Sequence, residues 1–213
     1  MTRKTDWSEY YENTKSSAPS SLLIKALGYV RQKSKAIDIG GGALKDTRYL
    51  LDQGFEVTVI DQEPQMQGLA HTIQSDQLHP IVTSFADFDF PSNEYDLASA
   101  MYALPFNSPK TFDAVVQKIK KSLVKGGIFS GQLFGNMDEW SNNVAMTFHT
   151  KDQATKLFSD MEVILLEEVE KDGKTADGSP KHWHVFNLLL DVHDLAGSCK
   201  MAEDGRWDSL SVL

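Results

Sequence analysis

The residues best equipped for chemistry gather at positions 36–46, Ala-Ile-Asp-Ile-Gly-Gly-Gly-Ala-Leu-Lys-Asp. Asp38 stands just before Gly40, Gly41 and Gly42, giving Asp-x-Gly-x-Gly, and Asp61 closes the next apolar run 19 positions after Gly42. A strand, a glycine turn and a helix start together form a cradle where backbone can approach a nucleotide-like ligand. The dinucleotide form of that cradle needs a third glycine, and counting from Gly40 its place is taken by Lys45, whose side chain spoils the close helix–strand contact. Asp38 also disfavours a pyrophosphate at the loop. The two acids suit a ligand with positive character there and ribose hydroxyls beyond, at a spacing near the offset of about 20 seen in nucleotide sites.

Other polar clusters carry less. His182 and His184 occupy alternate positions of an apolar run and so share a face, but no third ligand stands beside them, and no metal is expected. Cys199 is the only cysteine, which excludes an intrachain disulfide and a cysteine-based zinc site. A net charge of -9 argues against a partner with a phosphate backbone, and nucleic acid is not expected. The N-terminus is polar, without the apolar core of a signal peptide, and no apolar run approaches the roughly 20 residues of a membrane span. A cytoplasmic protein with no membrane partner is expected.

The elements that must position these residues alternate. Helices are predicted over 20–30, 44–54, 64–73, 108–127 and 150–160, and strands over 36–40, 55–61, 79–88, 95–101 and 128–134. The helix at 108–127 is the clearest, with Phe112, Val115, Val116, Ile119 and Leu123 on one face, Ser-Pro at its start and Gly-Gly at its end. After 161 the order changes to two consecutive strands, Glu-Val-Ile-Leu-Leu-Glu-Glu-Val-Glu-Lys and His-Trp-His-Val-Phe-Asn-Leu-Leu-Leu-Asp-Val, joined by a loop rich in Gly, Asp and Pro. Five βα units favour a parallel sheet with helices on both faces, and the closing hairpin makes it mixed. No repeat and no interdomain linker is evident. One α/β domain over 1–192 and a peripheral tail over 193–213 are expected.

In these features the chain resembles the class I S-adenosylmethionine-dependent methyltransferases over residues 5–192. Ile-Asp-Ile-Gly-Gly-Gly is similar to the family's first motif and Val-Thr-Val-Ile-Asp to its second. The stretch 85–106 resembles the segment that covers the adenine and leads to the catalytic mouth, and Lys-Gly-Gly at 125–127 the fifth-strand motif. Within the family the chain looks most like the tellurite-resistance and related small-molecule methyltransferases, through residues 45–61, Met-Tyr-Ala-Leu-Pro-Phe (101–106), Gly-Gln-Leu-Phe-Gly-Asn-Met-Asp-Glu-Trp (131–140) and Lys-His-Trp-His-Val-Phe (181–186). It departs from the pattern at Leu44, where the family often has glycine, so a stiffer or differently shaped loop is expected there.

The resemblance implies a Rossmann-like, doubly wound sheet of seven mostly parallel strands in the order 3-2-1-4-5-7-6, with the last strand antiparallel. It implies S-adenosylmethionine as cofactor. Gly40, Gly41 and Gly42 would form the cradle for its methionine portion, Asp38 would face the ammonium side, Asp61 would hold the ribose, and Gln62 would lie beside the adenine. Asp87, or its competitor Asp89, would accept from the adenine amino group with Phe88 packing on the ring, and Ala100 and Met101 would end the fourth strand at the ligand. Tyr11, Tyr102 and Trp140 would border the methyl acceptor, with Trp7, Tyr10 and Tyr11 on an N-terminal helical lid. The expected reaction is in-line methyl transfer to a small molecule. No catalytic residue is assigned; Tyr102, His149 and Asp138 are positional candidates for a base. The alternatives are a non-catalytic binding or partner subunit of the same fold and a nicotinamide-dependent reductase, which the missing glycine and the antiparallel end oppose.

Overall fold

The computed structural model describes residues 7–192; the expected peripheral tail, with Cys199 and Trp207, lies outside the described residues. Helices α1 (Trp7–Thr14), α2 (Ser21–Ala26), α3 (Lys45–Asp52), α4 (Gln65–Ala70), α5 (Phe112–Ser122) and α6 (Lys151–Leu157) surround a single sheet. Its strands are β1 (Lys35–Ile39), β2 (Glu56–Asp61), β3 (Leu78–Val82), β4 (Tyr95–Ala100), β5 (Leu123–Gly135), β6 (Phe148–His149), β7 (Glu162–Lys174) and β8 (Pro180–Asp191). The order is β3-β2-β1-β4-β5-β8-β7, with β6 paired to β5 as a short addition. Without β6 this is the expected 3-2-1-4-5-7-6, and only β8 runs antiparallel to its neighbours.

The sheet is wound on both faces. Ile37, Ile39, Ala98, Phe129, Leu133 and Phe186 pack under α5 and against Phe158 just after α6, while Ala36, Val57, Leu97, Ile128 and Leu189 pack under Leu23 and Ala26 of α2 and Leu50 of α3. Helix α5 has 11 residues, too few to be stable alone in water. Its buried Phe112, Val115, Val116 and Ile119 supply what propensity does not, at about 1.5–3 kcal/mol for each side chain removed from water. Helix α6 starts at a full capping box, in which the Thr150 hydroxyl accepts from Gln153 N–H and the Gln153 side chain accepts from Thr150 N–H.

Helices α2, α4 and α6 end three or four residues before their expected ends, and two further boundaries differ for reasons visible in the structure. Helix α5 ends at Ser122 rather than at Gly126-Gly127, because its last carbonyls, Lys121 and Ser122, accept from the N–H groups of Asn93 and Glu94. The chain then enters β5, where Leu123 already pairs with Tyr95 and a register shift follows. Strand β3 stops at Val82, and the chain turns at once, with Phe88 N–H donating to Ser84 O.

Candidate active site

The glycine turn leaves β1 at Gly40, whose N–H donates to Ile60 O at 2.8 Å, tying the turn to the end of β2. Gly40 has φ +74°, and a Cβ there would lie 2.4 Å from Ala103 Cβ. Side chains are therefore excluded at this position by conformation and by space. Leu44, where glycine is frequent in the resembled family, keeps the left-handed backbone at φ +63°. The loop keeps the turn that glycine favours, and the cost of about 1–3 kcal/mol is offset because the leucine is fully buried against Val59 and Met66.

Asp61 ends β2 with its carboxylate fixed by two backbone N–H groups. Oδ2 accepts from Gly42 N–H and Oδ1 from Glu63 N–H, each at 2.9 Å, and the Tyr11 hydroxyl is close enough to feel the same carboxylate. Burial and the Asp61 charge push the Tyr11 hydroxyl pKa far up, so it is a proton donor at any working pH. Asp38 lies lower. It is 2% exposed, it accepts from Thr47 Oγ1 at 2.6 Å, and burial followed by the charge of Asp46 pushes its pKa up to about 7. Asp46 itself is held by Ser20 N–H and Oγ and by Lys45 Nζ, which joins the first turn of α3 to the start of α2.

Beyond the cradle a cavity of about 1550 Å³ opens between α1 and the sheet. It exceeds the roughly 300–1,000 Å³ of common ligand pockets, so two ligands can share it. Gly40, Gly42, Asp61, Gln62, Ser84 and Phe85 line one end. The other end is formed by alternate residues of the hairpin, Glu167 and Val169 on β7 with Trp183, Val185 and Asn187 on β8, and by an aromatic group of Trp7, Tyr102, Phe106 and Trp140. Helix α1 roofs both ends: Tyr10 and Tyr11 stand above Gly42, Trp7 packs edge-on against Phe106 at 5.3 Å, and Asn13 Nδ2 donates to Ala176 O in the hairpin turn at 3.2 Å. Tyr102 itself is left-handed, with φ +54°, and its N–H donates to Gln132 Oε1 at 3.0 Å.

The expected residues therefore divide. Gly40, Gly42, Asp61, Gln62, Met101, Tyr11, Tyr102 and Trp140 line the cavity; Asp38, Gly41, Asp87, Phe88 and Ala100 are not among its lining residues. Gly41 packs against Val59, and Ala100 is fully buried in the core under α5. Asp87 is solvent-exposed and accepts from Ser84 Oγ at 2.6 Å, while Lys118 of α5 draws the carbonyls of Ala86 and Phe88 toward the helix. Sequence reasoning missed Ser84, Phe85, Ala103, Gln132, Trp183 and Asn187. The last two were findable, since residues 183, 185 and 187 share one strand face opposite to His184 and Phe186.

Of the three candidate bases, only Tyr102 lines the cavity. Asp138 has a buried side chain and pairs with Lys181 Nζ at 2.5 and 2.6 Å. His149 lies outside the cavity lining, against the Phe112 ring, and burial lowers its pKa. Burial raises the Tyr102 hydroxyl pKa. His182 is engaged by Asp172 and Glu170. His184 Nδ1 accepts from Met137 N–H, so its Nε2–H donates to Glu168. No group of three or more metal-ligating side chains occurs among the described residues.

Residues 36–127 match the methyltransferase domain family. Among curated proteins none matches the chain by sequence. Solved structures do match. A Methanosarcina mazei SAM-dependent methyltransferase superposes with TM-score 0.64 at 16% identity, covering 83% of this chain and 100% of its own. TehB from Haemophilus influenzae gives 0.70 at 13% identity over 85% of this chain and 65% of its own. The 1,6-didemethyltoxoflavin-N1-methyltransferase of Burkholderia thailandensis, crystallised with 1,6-didemethyltoxoflavin and S-adenosylhomocysteine, gives 0.61 at 18% identity over 88% and 85%. At such identities the likeness is one of fold.

Proposed function

From a methyltransferase domain at residues 36–127, on the fold of the class I S-adenosylmethionine-dependent methyltransferases, we propose that this enzyme methylates a small-molecule acceptor in the cavity between the cradle and the hairpin. The observation that carries the reading is Asp61: a carboxylate at the end of β2, held by Gly42 and Glu63 N–H groups and facing the cavity beside bare glycine backbone. Such a group fits ribose hydroxyls, and the space over Gly40 and Gly42 fits a methionine chain laid along the backbone. Gln62 and Phe85 take the adenine side, with Asp87 acting through the Ser84 hydroxyl. Asp38, under the turn, shapes the cradle from below through Thr47.

When bound, S-adenosylmethionine supplies an electrophilic methyl on a leaving group that needs no protonation. The chain's part is to orient and to dry the site. Trp7, Tyr10 and Tyr11 close the cleft from above, and Met101 and Tyr102 border the acceptor. Orientation of this kind contributes on the order of 7–11 kcal/mol in well-aligned reactions. With Asp138 locked, His149 outside and Tyr102 protonated, the site favours an acceptor that is already nucleophilic. The toxoflavin-type enzyme, which shares the fold and was crystallised with 1,6-didemethyltoxoflavin, adds support for a small-molecule acceptor. We place the protein in the cytoplasm, as a single domain with an N-terminal helical lid. Among the described residues no helix is long and apolar enough to cross a membrane.

Calorimetric titration with S-adenosylmethionine and S-adenosylhomocysteine, with NADH as control, tests the reading. Binding of the adenosyl ligands that is lost in Gly40→Arg and Asp61→Ala is expected. Binding of NADH alone, or of none of the three, sinks it.

A further inference from the structure

Behind the hairpin end of the cavity lies an ion pair that none of this chemistry uses. The side chain of Lys181 is 1% exposed, and its Nζ sits 3.7 Å from the ring centroid of Trp183, 4.3 Å from Trp140 and 5.0 Å from Phe134. All three rings line the cavity, and Lys181 does not. The rings thus have the ammonium behind them and the cavity in front. Asp138 completes the device: besides Lys181 it accepts from Trp140 N–H at 3.0 Å and His184 N–H at 3.3 Å, clamping the turn that carries Trp140 to the strand that carries Trp183.

A buried ion pair is a poor way to gain stability, because desolvating the two charges consumes most of their attraction. It is a good way to fix two large rings. The cation also alters the rings it touches. Each indole already has the ammonium on one face, so a second cation arriving at the other face gains less than at a free indole, to the extent that Asp138 leaves the Lys181 charge uncompensated. An uncharged flat ring loses nothing and stacks or packs edge-on. The lining carboxylates Glu167 and Glu139, which accept from Asn187 Nδ2 at 3.0 Å and His182 N–H at 2.8 Å, offset part of this effect, while the neighbouring rings extend the flat wall. Tyr102 meets Trp183 at 5.8 Å and 69°, and Phe106 meets Trp140 at 6.2 Å and 59°. Gln132 and Asn187, joined by a 3.3 Å hydrogen bond, put amide groups on the lining for a heteroatom at the ring edge.

We propose that Trp140, Trp183, Tyr102 and Phe106 form the acceptor subsite, that it takes a flat, uncharged aromatic ring, and that Lys181 and Asp138 are positioning residues that set this preference from behind the wall. The proposal rests on the methyltransferase reading for the word acceptor, but the subsite can be tested without turnover.

The probes are acridine, uncharged at pH 8, and N-methylacridinium, the same ring with a permanent charge. They are titrated by fluorescence with and without saturating S-adenosylhomocysteine. Acridine binds in both conditions, and N-methylacridinium about fivefold more weakly. Trp183→Ala costs acridine about tenfold and leaves S-adenosylhomocysteine affinity unchanged. The double variant Lys181→Met/Asp138→Asn, which strands no charge, brings the two probes toward equal affinity. If Trp183→Ala does not fold by circular dichroism, Trp183→Phe replaces it, with a loss of about threefold. Equal binding of the probes to the wild type overturns the proposal. So does an unchanged acridine affinity in the Trp183 variant, an unchanged probe ratio in the double variant, or displacement of acridine by S-adenosylhomocysteine. Failure of S-adenosylhomocysteine itself to bind would refute the methyltransferase reading instead, with the acridine arm still reporting on the wall.

Discussion

Asp38 sits under the glycine turn with its carboxyl closed off from solvent, and the neighbouring charge of Asp46 adds to the burial that raises its pKa from 3.8 to about 7. The informative perturbation is Asp38→Asn, which keeps the shape and the contact with Thr47 but cannot ionise. Between about pH 4 and pH 7 the unfolded wild type has lost this proton and the folded form has kept it. The folded state binds more protons, so wild-type stability falls as pH rises, by up to about 1.4 kcal/mol per pH unit for one group. The fall stops once the pH passes the folded value. The difference of about three pKa units sets a ceiling of about 4 kcal/mol. Urea denaturation of both proteins from pH 4.5 to 8.5 reads it directly, and the pH dependence of groups remote from Asp38 cancels in the difference. The asparagine variant should be about as stable as wild type at the acid end, gain steadily through pH 5–7, and level off above 7.5. A difference that does not change with pH, or a variant that is less stable at pH 8, refutes the reasoning.

Three further outcomes follow from particular contacts. Gly135→Ala places a Cβ 1.9 Å from His184 Nδ1, so the buried imidazole must leave its bonds to Met137 and Glu168; a loss of about 3 kcal/mol in urea midpoint analysis is expected. Thr150→Ala removes the hydroxyl of the α6 capping box and should cost about 1 kcal/mol by the same assay, with no effect on ligand titrations. Tyr11→Phe removes the hydroxyl that stands by Asp61, whose carboxylate has about four acceptor sites and gives two to backbone N–H groups. Calorimetry should show S-adenosylhomocysteine binding about threefold more tightly, while the fold loses about 1 kcal/mol. Weaker binding would mean that the Tyr11 hydroxyl assists the ligand.

The cradle was legible because its requirements are local. Gly40 and Gly42 take backbone that side chains rarely adopt, and Asp61 ends a run of β-branched residues, so three positions each announce themselves. The sheet order was legible for a related reason: βα alternation followed by a polar hairpin loop leaves few topologies. The adenine side was not. Its placement depends on where β3 stops, and Pro80 to Phe88 contains no breaker marking the end at Val82; the stop is decided by a turn at Ser84 and by Lys118 reaching across from α5. The end of α5 was misplaced because Gly126-Gly127 signals a stop, whereas Asn93 and Glu94, distant in sequence, impose one four residues earlier. The aromatic wall depends on residues 102 to 183, and only the pairing of β5 with β8 brings them together.

The roof has a consequence for the order in which the protein assembles. Helix α1 has eight residues, too few to persist by itself, and Asn13 meets its partner Ala176 across 163 residues of sequence. At the roughly 5–20 residues per second of synthesis, about 8–30 s separate the appearance of the two. Through that interval the glycine turn and Asp61 can form, since β1, β2 and β4 are complete, but α1 has nothing at its far end to rest on. The cleft is therefore built open and closed last, by the first helix of the chain, and its closure is the step most exposed to any change in the hairpin turn.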